Sequence, residues 1–153
     1  MSELFGVSSL DATERLIDEW LSSAAAANPA IEAVDRDPAD ARRWYVRMRG
    51  EAKDYTTAWL ALGQRTLRYE TYVMPAPEEN AEQLYEHLLR RNDTFVGAHF
   101  SIGAEDAVYL RGELALPALT EDELDRVLGS LHEYVERCFT TMVRIGFAGR
   151  FAP

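Results

Sequence analysis

From Arg43 to Arg49 polar and apolar positions alternate one for one. Trp44, Val46 and Met48 point one way, and Arg43, Tyr45, Arg47 and Arg49 the other, which is the period of a half-buried strand. Upstream, Leu16, Ile17, Trp20, Leu21 and Ala24 recur at helical spacing. Asp11, with Glu14 three residues later, makes a capping-box-like start for that helix. Asn28-Pro29 ends it, because proline disfavours helix at the residue before it. Ile31 to Arg36 leaves room for a short extra strand, closed by the turn Asp37-Pro38-Ala39-Asp40. Tyr55 to Leu62 alternates less cleanly, and Gly63-Gln64 reads as a tight hairpin turn. Leu67, Tyr69, Thr71 and Val73 then share one face of the next strand, giving an antiparallel meander.

Pro75-Ala76-Pro77 interrupts the sheet, and a second helix is expected from Glu78. Its acids (Glu78, Glu79, Glu82) come first and its bases (Arg90, Arg91) last, as the helix macrodipole favours. Ala81, Leu84, Tyr85, Leu88 and Leu89 form its expected buried stripe. Two strands follow over 94–102 and 107–116, joined by Gly103-Ala104-Glu105-Asp106. A third helix opens with the capping box Thr120-Glu121-Asp122-Glu123. Its apolar seam, Leu124, Leu128, Leu131, Val135, Cys138, Met142 and Ile145, advances in alternating steps of four and three, with Val127, Tyr134 and Thr141 widening it. Such a seam must be covered, either as core against the sheet or, in part, by the same helix of a second subunit. The expectation is an α+β domain: a twisted antiparallel sheet with three packed helices in the order α-β-β-β-α-β-β-α.

The chain has 153 residues and no internal repeat, the size of one domain. No apolar run approaches the ~20 residues of a membrane helix, and the first residues lack the basic and apolar regions of a secretory signal. A single cysteine, Cys138, suits a reducing compartment, so a cytoplasmic protein without membrane contact is expected.

Charge sharpens the picture. The net charge is −10, which opposes nucleic-acid binding. Yet residues 42–68 hold seven bases (Arg42, Arg43, Arg47, Arg49, Lys53, Arg65, Arg68) against Glu51 and Asp54, a net +5 inside an otherwise acidic chain. Arg43, Tyr45, Arg47 and Arg49 are therefore the candidate partner-binding face, suited to an acidic peptide. The plainer alternative is a solvated face neutralised by cross-strand carboxylates.

Catalytic and metal signatures are weak. His87, His99 and His132 lie on three different elements with no HExxH or CxxC pattern. Cys138 sits on the apolar seam, a setting for an inert thiol. Asp35, Asp37 and Asp40 lack the glycine and distal glutamate of a calcium loop. No glycine pattern makes a dinucleotide or phosphate loop. No enzyme, metal or cofactor is expected.

Several stretches carry a family resemblance. Pro77-Glu78-Glu79-Asn80 leads into Leu84-Tyr85 and then Leu88-Leu89-Arg90-Arg91-Asn92. Val108-Tyr109-Leu110 with Gly112, Leu119-Thr120 before Glu123-Leu124-Asp125, and Ile145-Gly146-Phe147 follow. Together they resemble the actinobacterial branch of the YbjN family of bacterial sensory-transduction regulators. Ala115, Thr140 and Cys138 depart from the pattern of that branch, where proline, asparagine and a small residue are expected. The resemblance implies a type III secretion chaperone-like fold, a homodimer and a protein partner held as an extended segment. With no catalytic residues to carry over, the expected function is a non-catalytic binding or regulatory module. The alternative is a small-ligand sensor that regulates a partner. The homodimer would use the candidate seam Leu124, Leu128, Leu131, Val135, Cys138 and Met142.

Overall fold

The computed structural model describes residues 7–151. Helix α1 (Val7–Ala27) leads into four strands, β1 (Ile31–Arg36), β2 (Arg43–Arg49), β3 (Tyr55–Leu62) and β4 (Thr66–Met74). Helix α2 (Ala81–Asn92), strands β5 (His99–Ile102) and β6 (Val108–Ala115) and helix α3 (Glu121–Gly146) complete the order. The extra strand after the first helix is thus realised as β1. All pairings are antiparallel, and the six strands lie in the order β1-β2-β3-β4-β6-β5.

Strand alternation sets two unlike faces. Trp44, Val46, Ala58, Leu60, Leu67, Val73 and Leu110 point inward and are at most 1% exposed. They meet Ile17 and Leu21 of α1, Leu84 of α2 and the α3 seam in one continuous core. The Trp44 indole N–H, carried into that core, donates to Asp18 of α1 at 3.2 Å, so its polar atom is satisfied. α3 starts as its sequence predicts, with the Thr120 hydroxyl accepting from the Glu123 N–H at 3.1 Å.

The α3 seam belongs to this core. Leu124, Leu128, Leu131, Val135, Cys138 and Met142 are each no more than 4% exposed. A two-fold pairing through them would require α3 to leave the sheet, so the chain's own strands cover the seam that was a candidate for dimerisation. Thr141, expected to widen it, is exposed.

Other expectations shift for identifiable reasons. Asp11 and Glu14 lie within α1 instead of opening it, because their carboxylates hold arginines of the sheet. Arg42 reaches Asp11 at 2.7 Å and Glu14 at 3.2 Å, and Arg36 reaches Glu14 at 2.7 Å. Leu16, placed on the buried face, is 44% exposed. α2 starts at Ala81, not Glu78: Glu78 pairs with Arg150 at 2.7 Å and Glu79 accepts from the Gly149 N–H, tying the segment to the end of the chain. Only Leu84 and Leu88 of its stripe are buried, and Leu89 is 69% exposed. The strand expected over 94–102 shrinks to β5. Phe95 leaves the sheet line to stack flat on Tyr134 of α3, with ring centroids 3.9 Å apart.

The two edges of the sheet differ. β5 is four residues long and its free side is occupied at Phe100 by the amide of Asn92. β1 has β2 on one side and no strand on the other among the described residues.

Candidate functional site

The outer face of the sheet carries no helix among the described residues, and register decides which side chains meet there. One cross-strand row runs Asp35, Tyr45, Trp59, Glu70, Arg111, His99. A neighbouring row runs Arg43, Ala61, Arg68, Glu113. Tyr72 sits opposite Tyr109. The candidate residues Arg43, Tyr45, Arg47 and Arg49 lie together on this face with β-strand spacing, the arginines exposed and Tyr45 half-buried.

Aromatic rings line the face. Tyr45 meets Trp59 edge-on at 5.4 Å, and Tyr72 meets Tyr109 in the same way at 5.6 Å. Trp59 is 49% exposed and Tyr72 41%. The Arg47 guanidinium lies 3.7 Å over the Tyr55 ring, and that of Arg111 lies 4.3 Å over Tyr109. Each holds a guanidinium against an aromatic ring of the sheet.

The ion pairs on this face are long and wet. Arg43 stands 3.6 Å from Asp40, Arg47 3.6 Å from Glu32, and Arg68 3.7 Å from Glu113. Exposed pairs of that kind contribute roughly 0–1 kcal/mol and exchange readily for another carboxylate. Arg111 is held more closely, 3.0 Å from Glu70. The Tyr45 hydroxyl donates to Asp37, which pushes the phenol up and holds the Asp37 carboxyl below the usual range. Between Arg43 and Arg68, the small Ala61 leaves a depression of about 280 Å³ walled by Tyr45 and Trp59.

Arg49 takes another role at the bottom of the strand. Its guanidinium donates to the Pro29 carbonyl at 3.3 Å, and its own carbonyl accepts from His132 at 2.7 Å. Of the basic run, Arg42 turns to α1. Lys53 sits half-buried against the β2–β3 turn, its ammonium donating to the Tyr55 carbonyl at 3.0 Å, and desolvation lowers its pKa. Sequence reasoning brought β2 to this face and counted Arg68 in the basic run, but did not join Trp59, Tyr72, Tyr109 and Arg111 to the site. The alternation of β4 and β6 carried part of that signal; the order in which the strands lie side by side did not follow from it.

The histidines stay apart, and no group of three or more His, Cys, Asp or Glu able to hold a metal occurs among the described residues. The Cys138 thiol is buried and desolvation raises its pKa. No helix among the described residues is long and apolar enough to cross a membrane.

A family model described as "Putative bacterial sensory transduction regulator" matches residues 13–144. The chain belongs to the YbjN family. It is 37% identical over 102 residues to the uncharacterized protein Rv0487 of Mycobacterium tuberculosis (strain ATCC 25618 / H37Rv), covering 67% of this chain and 56% of that one. It is 35% identical over 105 residues to the uncharacterized protein ML2442 of Mycobacterium leprae, covering 69% and 57%. The matched part thus spans little more than half the length of these curated relatives. Among solved structures, the heterodimeric complex ExoU-SpcU from the type III secretion system of Pseudomonas aeruginosa holds a similar chain. The TM-score is 0.49 at 18% identity, over 81% of this chain and 95% of that chain. At that level the likeness is one of fold alone.

Proposed function

We propose that this YbjN domain is a non-catalytic cytoplasmic module that captures an extended, acidic segment of a partner protein on the outer face of its sheet. One observation carries the reading: a face without a helix among the described residues, on which edge-on aromatic pairs alternate with exposed arginines, in a chain whose net charge is −10. An extended segment presents side chains at the period of the strands beneath it. Its carboxylates would replace the long-range partners of Arg43, Arg47 and Arg68, and its apolar side chains would lie on Trp59 and Tyr72. Two-fold pairing of chains, if it accompanies capture, falls to the β1 edge, since the α3 seam is core.

The test is crosslinking capture from native cytosol with mass spectrometry, run in parallel on the wild type, the triple variant R43Q/R47Q/R49Q and W59A. A dominant partner that is retained by the wild type and lost by both variants supports the reading. Its retention should also weaken as salt rises. Equal recovery by all three proteins sinks it.

A further inference from the structure

α3 has a glycine at its middle, Gly129, which its own fold does not explain. Glycine is the poorest interior helix residue after proline, and a reason for one is normally close packing. Gly146 of the same helix has such a reason: a Cβ there would meet Met74 at 3.0 Å and Pro77 at 3.1 Å. A Cβ at Gly129 would meet nothing within 4 Å. The space it leaves open belongs to a notch of about 320 Å³ between the end of α1, the start of β1 and α3, on the opposite side of the sheet from the aromatic face.

The walls of this notch have a definite chemistry. Ile31, Met48 and Leu128 supply a buried apolar floor. Asp125 and His132 flank Gly129 at helical spacing, so the glycine opens the gap between them. The Nε2 of His132 donates to the Arg49 carbonyl at 2.7 Å, which fixes the ring at the edge of the notch. Asp125 makes no ion pair among the described residues, and neither lysine nor arginine lines the notch. α1 ends here with no basic residue in its last turn, whereas α2 ends on Arg90 and Arg91 and α3 on Arg144. Its terminal carbonyls carry the partial negative charge of a helix end, and the nearby Arg49 guanidinium is engaged by the Pro29 carbonyl at 3.3 Å, just past the helix. The site therefore sets the Asp125 carboxylate and the end of α1 above an apolar floor.

We propose that this notch binds a small organic cation, an alkylammonium or alkylguanidinium ion. Its N–H donors face Asp125 and the carbonyl end of α1, and its alkyl part lies on Ile31, Met48 and Leu128. The volume sits at the lower end of ligand pockets, which favours a compact molecule. The site is independent of the sheet face and stands or falls separately from partner capture.

Thermal unfolding of the full chain tests it, with n-butylammonium chloride as the probe and sodium chloride, n-butanol and sodium butyrate as controls at matched ionic strength. The cation should raise Tm saturably, by about 3–6 °C at ten times its Kd, and the three controls should not. At Gly129→Leu the Cβ has nothing within 4 Å and the side chain can lie on the apolar floor of the notch, so its unliganded Tm should equal or exceed that of the wild type while the response disappears. Asp125→Asn should remove the preference for n-butylammonium over n-butanol. A cation without a saturable effect overturns the proposal, as does a response that survives Gly129→Leu unchanged.

Discussion

The side-chain amide of Asn92, at the end of α2, stands in for a neighbouring strand at Phe100. Its Oδ1 accepts from the Phe100 N–H at 2.7 Å and its Nδ2 donates to the Phe100 carbonyl at 3.2 Å. Both groups are part-buried, so removing the amide leaves a donor and an acceptor unmet. Asn92→Leu is expected to destabilise the domain by about 1–3 kcal/mol, read from the midpoint of urea unfolding.

Glu136 of α3 plays a comparable part at the other end of the sheet. Its carboxylate accepts the backbone N–H groups of Glu51, Ala52 and Lys53 at 2.5, 3.0 and 3.1 Å, fixing the β2–β3 turn. Burial pushes this carboxyl up, but the three donors outweigh it and its pKa is lowered. A carboxylate depressed in the folded state stabilises above its unfolded pKa, and that contribution disappears as pH falls through the folded value. Glu136→Gln should therefore lower stability at pH 7 and flatten its decline below about pH 4.5, in denaturation curves measured across the acid range. A parallel offset at every pH would contradict this.

At the junction of β4 and β6 three residues fit with no spare room. The Tyr69 hydroxyl donates to the Gly97 carbonyl at 2.6 Å, and a Cβ on Gly112 would meet that same oxygen at 2.1 Å and the Tyr69 ring at 2.6 Å. Gly112→Ala should destabilise by about 1–3 kcal/mol through overpacking. Tyr69→Phe, which removes only the hydrogen bond, should have the smaller effect, about 1 kcal/mol. Thermal unfolding of the two variants ranks them.

Cys138 is 2% exposed and desolvation raises its thiol pKa. Native protein should react with a thiol reagent only as fast as the domain opens, and the rate should rise steeply with urea. Fast labelling without denaturant would place the thiol nearer the surface than the core.

Trp59 separates stability from recognition. Half-exposed and in edge contact with Tyr45, it should affect unfolding by no more than about 1 kcal/mol on replacement with alanine. If it anchors a partner, the same change should weaken capture by roughly 30-fold, the mark of a central aromatic contact, in a binding titration with the partner once captured.

The elements that could be read from sequence are those whose pattern and neighbours agree. β2 alternates cleanly because Trp44, Val46 and Met48 have the core on one side and water lies on the other. α3 announces itself through Thr120 and its seam. The misplaced helix starts share one cause: carboxylates near a helix start resemble caps whether or not they bond locally. Asp11 and Glu14 reach Arg42 and Arg36 across the fold, and Glu78 reaches Arg150. The basic half of the outer face was visible as arginines at alternating-strand positions 43, 47 and 49. Its Tyr72–Tyr109 pair depends on β6 settling beside β4, a long-range pairing that no local pattern encodes. Gly129 gave no signal at all, since a lone glycine in a helical pattern looks neutral until the space beside it is known.

The unequal edges set a limit on stoichiometry. A sheet with two open sides can add neighbours without end, as fibres do, whereas among the described residues this one is blunted at Phe100 of β5 and leaves β1 with a free side. Two chains meeting edge to edge through β1 would close on each other and leave a blunted strand at both extremities. Growth by strand pairing would stop at two, and a partner's strand bound at β1 would compete directly with the second copy.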